Sequence, residues 1–208
     1  MNKNLWQRFQ EWFVKQISHV KWKQRSELTD DDKAVIREML VHDYYVIATR
    51  RRNFLSSFCI CLGHFILTGR WGFYTHVLMN MEDEVHSDSD FKLIEATTKG
   101  TKFSTFEQVF SGVDAVALLK PVSMTVKEWT ACMDKAKEQL GKPYDNLFNI
   151  MNDSEVNCVE LVRIALMALP DYNTRFANFE KMISKKKFLT PQMFVECPDF
   201  HIYFTVKR

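Results

Sequence analysis

Cys158 follows Asn157 and precedes Val159-Glu160, a spacing that reads as a helix N-cap with its reciprocal carboxylate three residues on. The sulfur then falls in the first turn of a helix. There the macrodipole favours a thiolate, and open backbone N–H groups can receive an oxyanion. A thiolate nucleophile needs an imidazole to take its proton and later pass it to the leaving group, and a third group to fix the imidazole's tautomer. Of the six His, His76 stands out because it interrupts the run Phe73-Tyr74-Thr75-His76-Val77-Leu78-Met79, where an imidazole must find a partner. Glu95 is likewise a carboxylate within an apolar run, Phe91-Lys92-Leu93-Ile94-Glu95-Ala96, and it neighbours His76 if the acidic tract between the runs is a hairpin loop. Taken locally, each residue also has a plain structural reading, since Cys is among the most buried types and a core histidine can be satisfied by one hydrogen bond.

These residues must be carried by particular elements. The alternation and β-favouring composition of Tyr44–Thr49, Phe73–Met79, Phe91–Ala96 and Val113–Leu119 predict strands, and the tract around Glu82-Asp83-Glu84 and Ser87-Asp88-Ser89-Asp90 predicts a solvated connection. Phe200, Ile202, Phe204 and Val206 alternate with more polar residues in a last half-buried strand. Thr125 with Glu128 is a capping box for a helix whose stripe is Val126, Trp129, Met133, Ala136 and Leu140, ended by Gly141. The helix that starts at Cys158 carries Val159, Val162, Leu166 and Leu169 on one face and stops at Pro170. Phe54–Leu67, about 14 residues against the ~20 needed to span a bilayer, predicts a buried helix. Upstream, Trp6, Phe9, Phe13, Ile17 and Val20 share one helical face, and Thr29 with Asp32 caps a second helix. Residues 1–40 are therefore expected to form a helical extension and 41–208 the main domain. The fold class expected is α+β, an antiparallel sheet packed against the helix that carries Cys158.

Several of these segments, in this order, resemble circularly permuted papain-like cysteine hydrolases of the NlpC superfamily, YiiX/YaeF type, from about His42 onward. The carrying residues are Thr68-Gly69-Arg70-Trp71 leading into Tyr74-Thr75-His76-Val77, then Glu95-Ala96, and Phe106 to Val116 with its Gly-Val-Asp. Gly141-Lys142-Pro143-Tyr144-Asp145, Asn157-Cys158-Val159-Glu160-Leu161-Val162 and Thr190-Pro191 complete the set. Val159 stands where the family has a small Ser, Thr75 where it has Ser, and His42 where it has Gly before Asp43. The resemblance implies a permuted papain-like fold in which His precedes Cys, with Cys158 as nucleophile, His76 as base and Glu95 as orienting residue. It also implies Tyr144 and Asp145 as substrate-lining residues. The activity implied is hydrolysis of an amide or ester acyl bond through a thioester, on a peptide, a peptidoglycan fragment or a lipid acyl group, with no cofactor. Lipid acyl transfer by the same pair is one alternative; a non-catalytic component of a larger assembly such as a virus particle is another.

Composition sets the remaining bounds. At ~150 residues per domain, 208 residues favour one domain with an appendage, and 46% apolar residues with 17 Phe exclude a disordered or fibrous chain. Lys plus Arg (28) against Asp plus Glu (26) leaves +2, too small a field to argue for nucleic acid. Arg50-Arg51-Arg52, Lys21, Lys23, Arg25 and Lys185-Lys186-Lys187 are expected to be solvated faces rather than a phosphate site. Cys59-x-Cys61 with His64 lacks the second cluster that a zinc site needs, so no metal is expected. Five Cys, an odd number, argue against a disulfide framework and for a reducing, intracellular compartment, and no secretory leader is read at the start. The aromatic N-terminal helix is expected to dock on the protein's own body, or else to serve a protein partner.

Overall fold

A computed structural model describes residues 12, 26–51, 55–80, 91–146, 154–186 and 189–208. Its six strands form one antiparallel sheet in the order β4-β3-β2-β1-β5-β6. The strands are β1 (Val46–Arg50), β2 (His76–Asn80), β3 (Leu93–Thr97), β4 (Gly100–Ser104), β5 (Ala115–Pro121) and β6 (Phe200–Lys207). The helices, in chain order, are α1 (Asp30–His42), α2 (Leu55–Thr68), α3 (Phe106–Phe110), α4 (Val126–Lys137), α5 (Cys158–Leu166), α6 (Tyr172–Arg175), α7 (Ala177–Lys186) and α8 (Gln192–Glu196).

Alternation along the strands sends apolar side chains to both faces. Val46, Ala48, Val77, Met79, Ile94, Ala96, Ala117 and Leu119 pack with Trp129 and Met133 of α4, Leu161 and Val162 of α5, and Phe179 of α7. Ile47, Leu78, Leu93, Val116 and Leu118, the intervening residues, pack with Ile36 and Leu40 of α1 and Phe106 and Phe110 of α3. The sheet is thus covered on both sides, which is why β1 is buried at every position. The expected antiparallel sheet packed on the Cys158 helix is present, and the five expected strands and the helices begun by the Thr125 and Asn157 caps lie within a few residues of their observed bounds. Of the expected helical extension, α1 lies against the second face of the sheet; the aromatic stripe Trp6, Phe9, Phe13, Ile17 and Val20 and the acidic tract fall outside the described residues.

Two expectations need correction. The 54–67 segment is helical, as α2, but it is not buried throughout: Ile66 is 73% exposed, and Phe58 and Phe65 flank an exposed Trp71. An apolar run of that length carries more apolar residues than the one face turned to the protein can take up. Arg50 and Arg51 of the basic run do not form a solvated face either; Arg52 falls outside the described residues. Arg50 is buried, its Nε donating to Asp114 Oδ1 at 2.6 Å while the guanidinium lies over the Phe73 ring, and Arg51 donates to the carbonyls of Gln108 and Val109 at the end of α3. Two strong, unexpected elements are β4 and α3. Among the described residues no helix is long and apolar enough to cross a membrane.

Candidate active site

Asn157 caps α5 as its spacing predicts. Its Oδ1 accepts from the N–H groups of Val159 and Glu160, both at 3.0 Å, and Glu160 Oε2 accepts from the Asn157 N–H at 3.0 Å. Leu161 N–H closes the first intrahelical bond to the Asn157 carbonyl. This cap takes the first-turn donors on either side and leaves the Cys158 N–H without an acceptor among the described residues, next to its own buried sulfur. α5 packs across β2 and β3, the strands that supply the imidazole and the carboxylate.

His76 is the first residue of β2, paired with Thr49 of β1. β2 and β3 pair through Met79 with Ile94 and Asn80 with Leu93, so the two strands run side by side and bring Glu95 within reach of the ring. His76 Nε2 meets Glu95 Oε2 at 2.8 Å, which leaves Nδ1 as the ring nitrogen for Cys158. The His76 side chain is 23% exposed and that of Glu95 is 8% exposed, so the pair sits at the edge of the interior. Burial alone pulls the His76 pKa down, but hydrogen bonds and charge attraction from Cys158 and Glu95 outweigh it and raise the value to about 9. Burial pushes Glu95 up, and the His76 partnership, with help from Ser104 and Lys102, brings it down to about 2. Both shifts describe one partnership, an imidazolium held between two groups that prefer it charged.

Glu95 is itself braced from β4. Ser104 Oγ donates to Glu95 Oε1 at 2.5 Å and Lys102 Nζ stands 3.6 Å from the same oxygen. Lys102 is the register partner of Glu95, so both reach it from the neighbouring strand. Tyr144 turns its hydroxyl to the Cys158 sulfur at 4.0 Å, and burial, with the charges of Cys158, Asp145 and Glu160, holds its phenol well above the ordinary range. Asp145 is 1% exposed; its N–H donates to the Val156 carbonyl, and its charge acts on Tyr144 and Glu160. Burial and the Asp145 charge raise Glu160 to about 7 against the pull of the Asn157 N–H.

The structure brings Cys158, His76, Glu95 and Tyr144 together, with the buried Asp145 acting by its charge on Tyr144. Sequence reasoning missed Ser104 and Lys102, because they lie on a short polar edge strand with no apolar alternation to mark it. The other four cysteines stand apart from this cluster in kind. All five are free thiols, but burial pushes Cys59 up, Cys61 to about 11, and Cys132 and Cys197 each to about 12, with no imidazole partner among the causes.

A family model for permuted papain-like amidase enzymes of the YaeF/YiiX, C92, family matches residues 54–202. That span holds every residue of the cluster. A crystal structure described as the metalloprotein yiiX from Escherichia coli O157:H7 superposes with a TM-score of 0.56 at 18% identity, covering 80% of this chain and 97% of that one. The likeness supports a shared fold. No curated protein matches the chain.

Proposed function

Because the chain belongs to the permuted papain-like amidase family of the YaeF/YiiX, C92, type, we propose that it is a thiol hydrolase of an amide or ester acyl bond, with Cys158 as nucleophile, His76 as base and Glu95 as orienting residue. The observation that carries this reading is the His76 imidazole, held by the Glu95 carboxylate at 2.8 Å through Nε2 and raised in pKa by that carboxylate and by Cys158 at the helix mouth.

His76 Nδ1 takes the proton from Cys158 Sγ, and the thiolate adds to the acyl carbon. The Cys158 N–H and the Tyr144 hydroxyl, which lies 4.0 Å from the sulfur, donate to the oxygen that becomes negative. Collapse of the adduct breaks the bond to the amine or alkoxide, which leaves with the proton from His76, and a thioester remains. Water, losing its proton to His76, then adds to the thioester; the acid departs and the thiol is restored. Asp145 is buried, and its charge acts on the Tyr144 phenol beside the sulfur. If an amine or hydroxyl clears the thioester in place of water, the same groups perform acyl transfer. The yiiX structure is described as a metalloprotein; among the described residues here no group of three or more His, Cys, Asp or Glu is placed to hold a metal ion.

The test is competition among five thiols in the folded protein. With limiting iodoacetamide at pH 7, peptide mapping is expected to find Cys158 alkylated well ahead of Cys59, Cys61, Cys132 and Cys197, and His76→Ala is expected to remove that lead. Equal, slow alkylation of all five would sink the proposal and favour an inert module of the same fold.

A further inference from the structure

The backbone that delivers His76 to β2 is pinned residue by residue. The Gly72 N–H donates to the Cys61 carbonyl of α2 at 3.3 Å, and the Thr75 N–H donates to the Thr49 carbonyl of β1 at 2.9 Å. Between them, the N–H groups of Phe73 and Tyr74 both donate to one side-chain oxygen, Gln192 Oε1, at 3.0 and 3.2 Å. Gly72 also sits so close to α2 that a Cβ there would meet His64 Cβ at 2.9 Å and Cys61 Cα at 3.2 Å, so this stretch has little room to shift toward that side. Two of the four restraints on the lead-in to His76 therefore depend on one side chain from an element more than a hundred residues away in sequence.

The Gln192 amide is oriented, not merely present. Its Nε2 donates to Glu196 Oε1 one turn along α8 at 3.3 Å, and that carboxylate oxygen lies 3.5 Å from His64 Nε2. His64 Nδ1 in turn lies 2.7 Å from Thr190 Oγ1, just before α8. A carboxylate can only accept, so the nitrogen end of the Gln192 amide is committed to Glu196 and the oxygen end to the two backbone donors. A flipped amide would aim an N–H at two N–H groups. The network ties α2, α8 and the approach to β2 into one unit.

We propose that Gln192 is a positioning residue for His76, setting the height and angle at which the imidazole meets Cys158; this rests on the thiol-hydrolase reading above. His76 lies two residues beyond Tyr74, so a shift in that backbone passes directly to the ring. Replacing the amide by an apolar group leaves two part-buried N–H groups seeking other acceptors, and they can find them only by moving the segment. A displacement of ~1 Å at a catalytic group can cost ~100-fold in rate.

The experiment follows Cys158 alkylation by iodoacetamide from pH 5 to 10 in the full chain, in Gln192→Met, in the exchanged pair Q192E/E196Q, and in His76→Ala. Gln192→Met is expected to slow Cys158 by about tenfold or more and to shift the pH profile toward that of His76→Ala. The exchanged pair keeps an acceptor facing Phe73 and Tyr74 and a donor between the two side chains, so it is expected to recover both rate and profile. If His76→Ala slows Cys158 while Gln192→Met keeps the wild-type rate and profile, the positioning role is overturned and the hydrolase reading stands. If His76→Ala has no effect, both fall together. If the exchanged pair stays as slow as Gln192→Met, the role is overturned in favour of general damage to the fold. Should Gln192→Met not fold, Gln192→Asn, which withdraws the oxygen by one methylene, carries the same expectations and the same refutation.

Discussion

Replacing Glu95 by Gln removes a charge from His76 while keeping a side chain of the same shape that can still accept from Ser104. His76 stands near 9 against an ordinary 6.5, a rise of about 2.5 (9 − 6.5), and Glu95 near 2 against 4.5, a fall of about 2.5 (4.5 − 2). These are two views of one interaction and do not add. At 1.36 kcal/mol per pKa unit it is worth about 3 kcal/mol. Cys158 shares the effect on His76, and Ser104 and Lys102 share the effect on Glu95, so Glu95 supplies part of the His76 rise and not the whole of it. Each unit lost divides the ratio of imidazolium to imidazole at a given pH by about ten. With His76 near 9 the ring stays mostly charged at pH 7, so the loss is expected to show above neutrality: in Glu95→Gln the His76 imidazole, followed by NMR titration, is expected to give up its proton at a pH clearly below about 9. Stability carries the same signature. The His76 contribution is whole below 6.5 and lost as pH rises through about 9, and the Glu95 contribution is whole above 4.5 and lost as pH falls through about 2. The stability gap between wild type and Glu95→Gln, from urea unfolding, is then widest between pH 4.5 and 6.5 and narrows on both sides. A folded Glu95→Gln protein with the wild-type His76 titration and a gap flat in pH would show that Glu95 does not act on His76 through its charge.

Glu160→Gln tests the carboxylate beside the nucleophile. Its folded pKa of about 7 lies above the ordinary 4.5, so the native state is penalised as pH rises through that interval; the amide is expected to match wild type at pH 4 and to be more stable by up to about 3 kcal/mol at pH 8, read by urea unfolding. Equal stability at pH 8 would mean that Glu160 is not held against its charge. Arg50→Met leaves Asp114 buried without its guanidinium and is expected to cost about 3–5 kcal/mol, whereas the double variant R50M/D114L is expected to regain most of it. A single variant no less stable than the double one would refute a paired role for the two charges.

What the sequence disclosed and what it concealed divide along a physical line. Capping boxes are local: Thr29 with Asp32, Thr125 with Glu128 and Asn157 with Glu160 each need only four consecutive residues, and each helix begins where its box says. The same rule, applied to Thr105 and Gln108, marks α3, whose box is equally complete. β4 offered no such handle, because Gly100-Thr101-Lys102-Phe103-Ser104 is a polar edge strand, made a strand by the turn that ends at Gly100 in a left-handed conformation and by register with β3. The division recurs within the site. Cys158, His76 and Glu95 are legible because each breaks a local pattern, a polar or reactive group in an apolar stretch. Ser104, Lys102 and Gln192 break none; a Ser and a Lys on an edge strand and a Gln at the start of a short helix are ordinary residues in ordinary places. Their roles come from where the chain brings them, two on the strand beside Glu95 and one across from the approach to His76. Reacting groups are costly to bury and so leave a mark in the sequence, whereas the groups that hold them are cheap to place and leave none. The residues that brace Glu95 and hold the approach to His76 are therefore those that only three-dimensional geometry discloses.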